Sequence, residues 1–260
     1  MKSFSIKDTN KNNIRLICDY MEENNFNSFE KHFSKGYFII VFKYKIQDFQ
    51  NFVNKLSSIL TEFILEFQEK NIIKNLINDE YSYFNESEKL IIYERFIVLN
   101  TLNEKDKNRK ILFKSIKTYI INNTFFIYSG FVNFSISNYI ESLSKNLQNA
   151  VNQYVVEREY YRFIDILRNH VRESIASPII VHLIYIDGQG SLVDVNGDEI
   201  PLEKLNSEIV SDIPFTKNDL VLNTLIGIVP KKIVIHMLSP HDQFIKTLEL
   251  VFEDKIDFAN

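Results

Sequence analysis

Four of the seven arginines in this chain, Arg158, Arg162, Arg168 and Arg172, fall between positions 158 and 172. A guanidinium presents a planar fork of donors that matches carboxylate or phosphate, so a cluster of this kind is the most distinctive chemistry in the sequence. Acids are interleaved with it at Glu157, Glu159, Asp165 and Glu173. Three readings therefore stand side by side: docking on an acidic part of the same chain, recognition of a protein partner, or contact with nucleic acid. The candidate surface on this stretch is Glu157, Arg158, Arg162, Arg168 and Arg172. Lys231, Lys232 and His236 extend the candidate set. Paired lysines can hold phosphate, although charges at a strand entrance are usually solvated.

Other constellations carry less. His182 and His236 fall on expected strands and His241 in the first turn of an expected helix. A metal needs three or four converging ligands, and two neighbouring strand histidines supply at most two, so no metal is expected. Residues 194–198 (DVNGD) resemble the start of a calcium loop, but glycine stands fourth instead of sixth and the twelfth place is Leu205, so this is read as a hairpin turn. The sequence holds no GxxxxGK[ST], GxGxxG, GxSxG or HExxH pattern. Cys18, the single cysteine, sits among Ile14, Ile17 and Met21 at helical spacing and reads as a small core residue. No catalytic residue and no cofactor is assigned.

Long helices must position the arginines. Residues 137–174 read as one helix, with the arginines on one face and Val156, Tyr160, Phe163, Ile164, Leu167 and Val171 on the other, which is expected to be core. Phe49, Phe52, Val53, Leu56, Leu60, Phe63, Ile64 and Phe67 predict another amphipathic helix after Ile46, and further helices are expected near 86–101 and 106–122. Ser3–Lys7 and Gly36–Tyr44 read as strands around a helix over 11–25. All five prolines and four of the six glycines lie beyond residue 177, which places a boundary near Ser177 and Pro178. After it, residues 179–195 predict a hairpin turning at Gly188-Gln189-Gly190, and Asn196-Gly197 a second turn. A helix over Thr216–Val229, a strand over Ile233–Leu238, a helix capped by Ser239 and a last strand at Ile256–Phe258 form a βαβ crossover.

The expected fold is therefore α+β: a small N-terminal α/β unit with helices (1–110), a central helical segment (111–177) and a C-terminal mixed-sheet α/β domain (178–260). Their net charges are +1, +2 and −7, so the acidity of the chain, −4 in all, belongs to the last segment. With 260 residues and 45% hydrophobic content the chain can enclose a real core, and its acidity argues against coating nucleic acid or anionic membrane through its overall field. The longest apolar run, Tyr37–Phe42, is far below the roughly 20 residues of a membrane span. A lone cysteine and the absence of a signal-type N-terminus point to the cytoplasm.

Several blocks carry a family likeness: FVNFSISNYIESL at 131–143, VVEREYYRFIDILR at 155–168, VNGDEI at 195–200 and IVPKKIVIH at 228–236. In this order they resemble the YtxC-like family of sporulation proteins from endospore-forming Firmicutes, chiefly over residues 130–258. The resemblance implies a cellular setting, not a reaction. With no catalytic constellation in the residues, the reading adopted is a cytosolic, non-enzymatic protein that binds an unidentified protein partner. The alternative is a nucleic-acid-associated protein using the arginine face at 158–172, and the third is an enzyme of the C-terminal α/β unit.

Overall fold

The computed structural model describes residues 1–202, 216–237 and 242–259. The described residues are an α+β chain of helices and two mixed sheets. They divide into two compact units, Met1–Val155 and Val156–Asn260, each with its own hydrophobic core.

The first unit begins with β1 (Lys2–Asp8), whose alternation buries Phe4, Ile6 and Asp8. Next come α1 (Lys11–Glu23), β2 (Phe29–Ser34), β3 (Tyr37–Tyr44), α2 (Phe49–Phe67), α3 (Glu69–Glu80), α4 (Glu86–Leu99), α5 (Leu102–Asn122), β4 (Phe125–Ile127), α6 (Tyr128–Phe134) and α7 (Ser137–Glu173). The sheet order is β2-β3-β1-β4, with β1 antiparallel to β3 and parallel to β4. Val53, Leu56, Leu60, Phe63 and Ile64 of α2 are buried as the three-and-four spacing requires, and Cys18 is buried beside them. Lys35 and Gly36, both at positive φ, make the two-residue turn that lets β2 fold onto β3.

The second unit takes in the C-terminal part of α7, then β5 (Ser177–Ile186), β6 (Gln189–Val193), α8 (Lys217–Ile228), β7 (Pro230–Met237), α9 (Gln243–Phe252) and β8 (Ile256–Phe258). Its sheet order is β6-β5-β7-β8, with β6 antiparallel to β5 and the pairs β5/β7 and β7/β8 parallel. Val181, Leu183 and Tyr185 of β5 and Ile233 and Ile235 of β7 face the core. They pack with Val221 and Leu225 of α8, Ile245, Leu248 and Val251 of α9, and Ile164 and Val171 of α7.

The division between units falls inside α7, earlier than the boundary expected near Ser177, because Ile164 and Val171 are buried with the second sheet. The hairpin turns at Asp187-Gly188, both at positive φ, while Gln189 and Gly190 already belong to β6. Gly190 packs tightly, since a Cβ there would lie 3.0 Å from Leu183 Cδ1 and 3.4 Å from Val221 Cγ2. The N-cap of α9 is Asp242, whose carboxylate accepts from the Phe244 N–H at 2.7 Å; the expected cap, Ser239, and His241 lie outside the described residues, as does Leu205. Of the apolar face of α7, Ile164 and Val171 are buried and Tyr160 and Leu167 pack against the core. Phe163 (49% exposed) and Val156 (71%) are not core, contrary to expectation. Both sit at the margin of the stripe, beyond the width that one packed layer covers.

Candidate functional site

The arginine face splits into two parts. Arg158 and Arg162 both reach Glu159, at 3.0 and 3.3 Å, on the helix itself. Arg168 and Arg172 turn instead to the end of α9. The Arg168 Nε donates to the Leu250 carbonyl at 2.9 Å, with Glu253 Oε1 at 3.3 Å and Asp165 at 3.2 Å from Nη1. Arg172 grips the Glu253 carboxylate with Nη2 and Nε. This is the fork geometry that suits arginine, and its partner is an acid of the same unit.

Lys231, Lys232 and His236 lie together on β7 but meet different surroundings. Lys231 is exposed, Lys232 pairs with Asp257 of β8, and His236 Nε2 lies 2.9 Å from His182 Nδ1 on the neighbouring strand. One ring nitrogen must donate and the other accept. His182 and His236 thus partner each other on the sheet face opposite the core residues, and no group of three His, Cys, Asp or Glu side chains able to hold a metal occurs among the described residues. Asp194 closes its turn by accepting from the Asn196 N–H at 2.8 Å and the Asp198 N–H at 2.9 Å. Hydrogen bonds from the backbone N–H groups of Asp198 and Asn196 hold its carboxyl below the usual range.

In the first unit, Asp8 ends β1 beside the end of the parallel strand β4, the kind of place where α/β sheets host ligands. Both oxygens of its carboxylate are already engaged. Oδ1 accepts from the Asn10 N–H at 2.7 Å, and Oδ2 accepts from the Ser129 N–H at 3.0 Å, the Ser129 hydroxyl at 2.5 Å and the Asn13 amide at 3.2 Å. Three donors crowd Oδ2 and one reaches Oδ1, in a carboxylate that is 1% exposed. The cluster is a latch between β1, α1 and α6.

Two surfaces escaped the reading of the sequence. On α4, Leu90 (56% exposed), Ile91 (40%), Ile97 (43%) and Val98 (81%) share an arc of about 120°, opposite the buried Ile92 and Phe96. A helix apolar on both sides has no sharp periodicity to find. On α5, Lys107, Lys110, Lys114 and Lys117 share an arc of about 80°. Lys114 lines a groove of about 510 Å³ with Ser115, Thr118, Asn122, Ser135 and Asn138, floored by Tyr119 and Phe131. A signal was present: from Lys107 to Ile140 the chain has five Lys or Arg and no Asp or Glu, although it has 34 acids in all.

Comparison with known proteins matches residues 54–257 to the YtxC-like family. "Uncharacterized protein YtxC" of Bacillus subtilis (strain 168) is 22% identical over 212 residues, which cover 78% of this chain and 75% of that protein. No solved structure matches the chain. No helix among the described residues is long and apolar enough to cross a membrane.

Proposed function

The chain belongs to the YtxC-like family, and from that premise we propose that it is a cytoplasmic, sporulation-associated protein that works by binding another protein. The sporulation setting rests on the resemblance carried by residues 131–143, 155–168, 195–200 and 228–236. The observation that supports a protein partner is the outward face of α4. Soluble proteins scatter single apolar residues over their surfaces, whereas here four share one helical arc around the exposed Glu94, and Leu102 (79% exposed) follows at the start of α5, a surface of the kind that binds protein.

The nucleic-acid reading of the arginine face is weaker, because Arg168 and Arg172 already hold Glu253 and Leu250. Neutralising phosphate there requires breaking those contacts.

The test is affinity capture from sporulating cells with the full chain and with a Leu90→Glu, Val98→Glu variant. Both positions are exposed, so the variant should melt like the wild type and lose a protein that the wild type retains. Identical captured sets from both chains, with both folded, would reject the α4 face as the binding surface.

A further inference from the structure

We propose that the lysine face of α5 and the groove beside it bind the phosphate backbone of a single-stranded nucleic acid. The inference goes beyond protein binding and uses a different helix. Three observations carry it. Lys110 and Lys114 are exposed and Lys117 is partly so, and none of the three forms an ion pair among the described residues; Lys117 rests over the Phe113 ring at 5.8 Å. By contrast, Lys107 and Arg109, nearer the start of the helix, are tied to Glu104 and Glu62. The groove contains hydroxyl and amide side chains and a lysine but no carboxylate. Those are the side-chain types that contact phosphate and sugar oxygens. The third observation is the acid-free stretch itself, which supplies α5 from Lys107 onward, α6 and the first turn of α7, so that none of these segments carries a carboxylate of its own beside the groove.

Size and chemistry favour a single strand. A volume of about 510 Å³ falls in the range of sites for a small molecule, the scale of one or two nucleotides, and not of a duplex. From Lys110 to Lys117 the helix rises about 10 Å, enough to follow a short run of phosphates. An acidic peptide could satisfy the lysines, but it makes less use of the hydroxyls and amides of the groove.

The experiment is fluorescence anisotropy of a labelled oligothymidylate with the full chain. Three neutralised phosphates give a slope of log affinity on log salt of about −2, so affinity should fall roughly twentyfold between about 50 and 200 mM salt. Lys110→Glu with Lys114→Glu should weaken binding at least tenfold at the lower salt without changing the melting temperature. Arg158→Glu with Arg162→Glu should leave it unchanged. If the double reversal lowers the melting temperature, Lys114→Gln serves, and should make the salt slope shallower by about 0.7. The proposal is overturned by no binding at low salt, by affinity independent of salt, by polyglutamate competing as well as the oligonucleotide, or by loss of binding in the arginine variant alone.

Discussion

Arg172 holds Glu253 through Nη2 at 2.7 and 2.8 Å and Nε at 3.0 Å, joining the last turns of α7 to the end of α9. Glu253 follows α9 at a positive φ of +48, which turns the chain out of the helix towards β8. One turn back, Arg168 caps the same helix end by donating to the Leu250 carbonyl. Arg168 therefore satisfies a carbonyl that a helix C-terminus leaves open, while Arg172 holds the side chain of the residue that follows the helix.

Truncating these two arginines should have unequal effects. The Arg172 side chain is 59% exposed and Glu253 38%, so Arg172→Ala should cost only about 0.5–1 kcal/mol. Arg168 is 24% exposed and serves a backbone carbonyl, and Arg168→Ala should cost about 1–2 kcal/mol. A double-mutant cycle of Arg172 with Glu253, read by urea unfolding, should give a positive coupling. Zero coupling would mean that the fork contributes nothing in solution.

The two sides of the apolar stripe on α7 should also separate. Ile164 is fully buried, so Ile164→Ala should cost about 2–5 kcal/mol. Phe163, half exposed, should cost under about 1 kcal/mol when truncated. Thermal unfolding of both variants checks the assignment, and a Phe163→Ala loss as large as that of Ile164→Ala would show that Phe163 is packed.

Much of the fold was legible because burial is periodic. The alternation of Phe4 and Ile6, the stripe from Val53 to Ile64 and the Thr216 and Asp219 capping box each announce an element through a pattern that hydrophobic burial or helix capping imposes. β2 was missed because FEKHFS lies at the sheet edge with nearly every residue exposed; its hydrogen bonds to β3 hold it, and these leave no mark in hydropathy. The split of the arginine face was equally hidden. It depends on Glu253 reaching α7 from 81 residues away, a tertiary relation that local spacing does not encode.

Cys18 should make stability fall in alkali. Burial pushes its thiol from about 9 up to about 11, the nearby Glu22 and Asp19 adding to the rise and Lys31 opposing it. Between those values the unfolded chain has released the proton and the folded chain retains it, so rising pH favours unfolding. Stability from this group is full below pH 9 and declines towards pH 11, by an amount on the order of 2 kcal/mol. Buried Tyr128 and Tyr139 are also raised and steepen the slope at higher pH, so the comparison must be with Cys18→Ala. That variant, less stable near neutrality through its small cavity, should lose less on going from pH 8 to pH 10. Parallel urea-unfolding profiles of the two chains would rule out the thiol as the source.

Asp8→Asn tests the latch at the end of β1. The carboxylate is 1% exposed and accepts four hydrogen bonds, three of them from Asn13 and Ser129 at Oδ2 and one from Asn10 at Oδ1. An amide has one oxygen and one NH2, so whichever way it turns, its NH2 faces donors in a site that water does not reach. Buried donors left without an acceptor cost about 1–3 kcal/mol, and the charge-assisted character of the originals is lost as well. Asp8→Asn should therefore destabilise the first unit by about 3 kcal/mol. Ser129→Ala removes only the hydroxyl and keeps the backbone N–H, and should cost about 1–2 kcal/mol. Hydrogen exchange provides the local readout: in Asp8→Asn the amides of Asn10 and Ser129 should lose protection before those of β3. Wild-type stability and unchanged protection in Asp8→Asn would show that the four hydrogen bonds are not what joins β1 to α1 and α6.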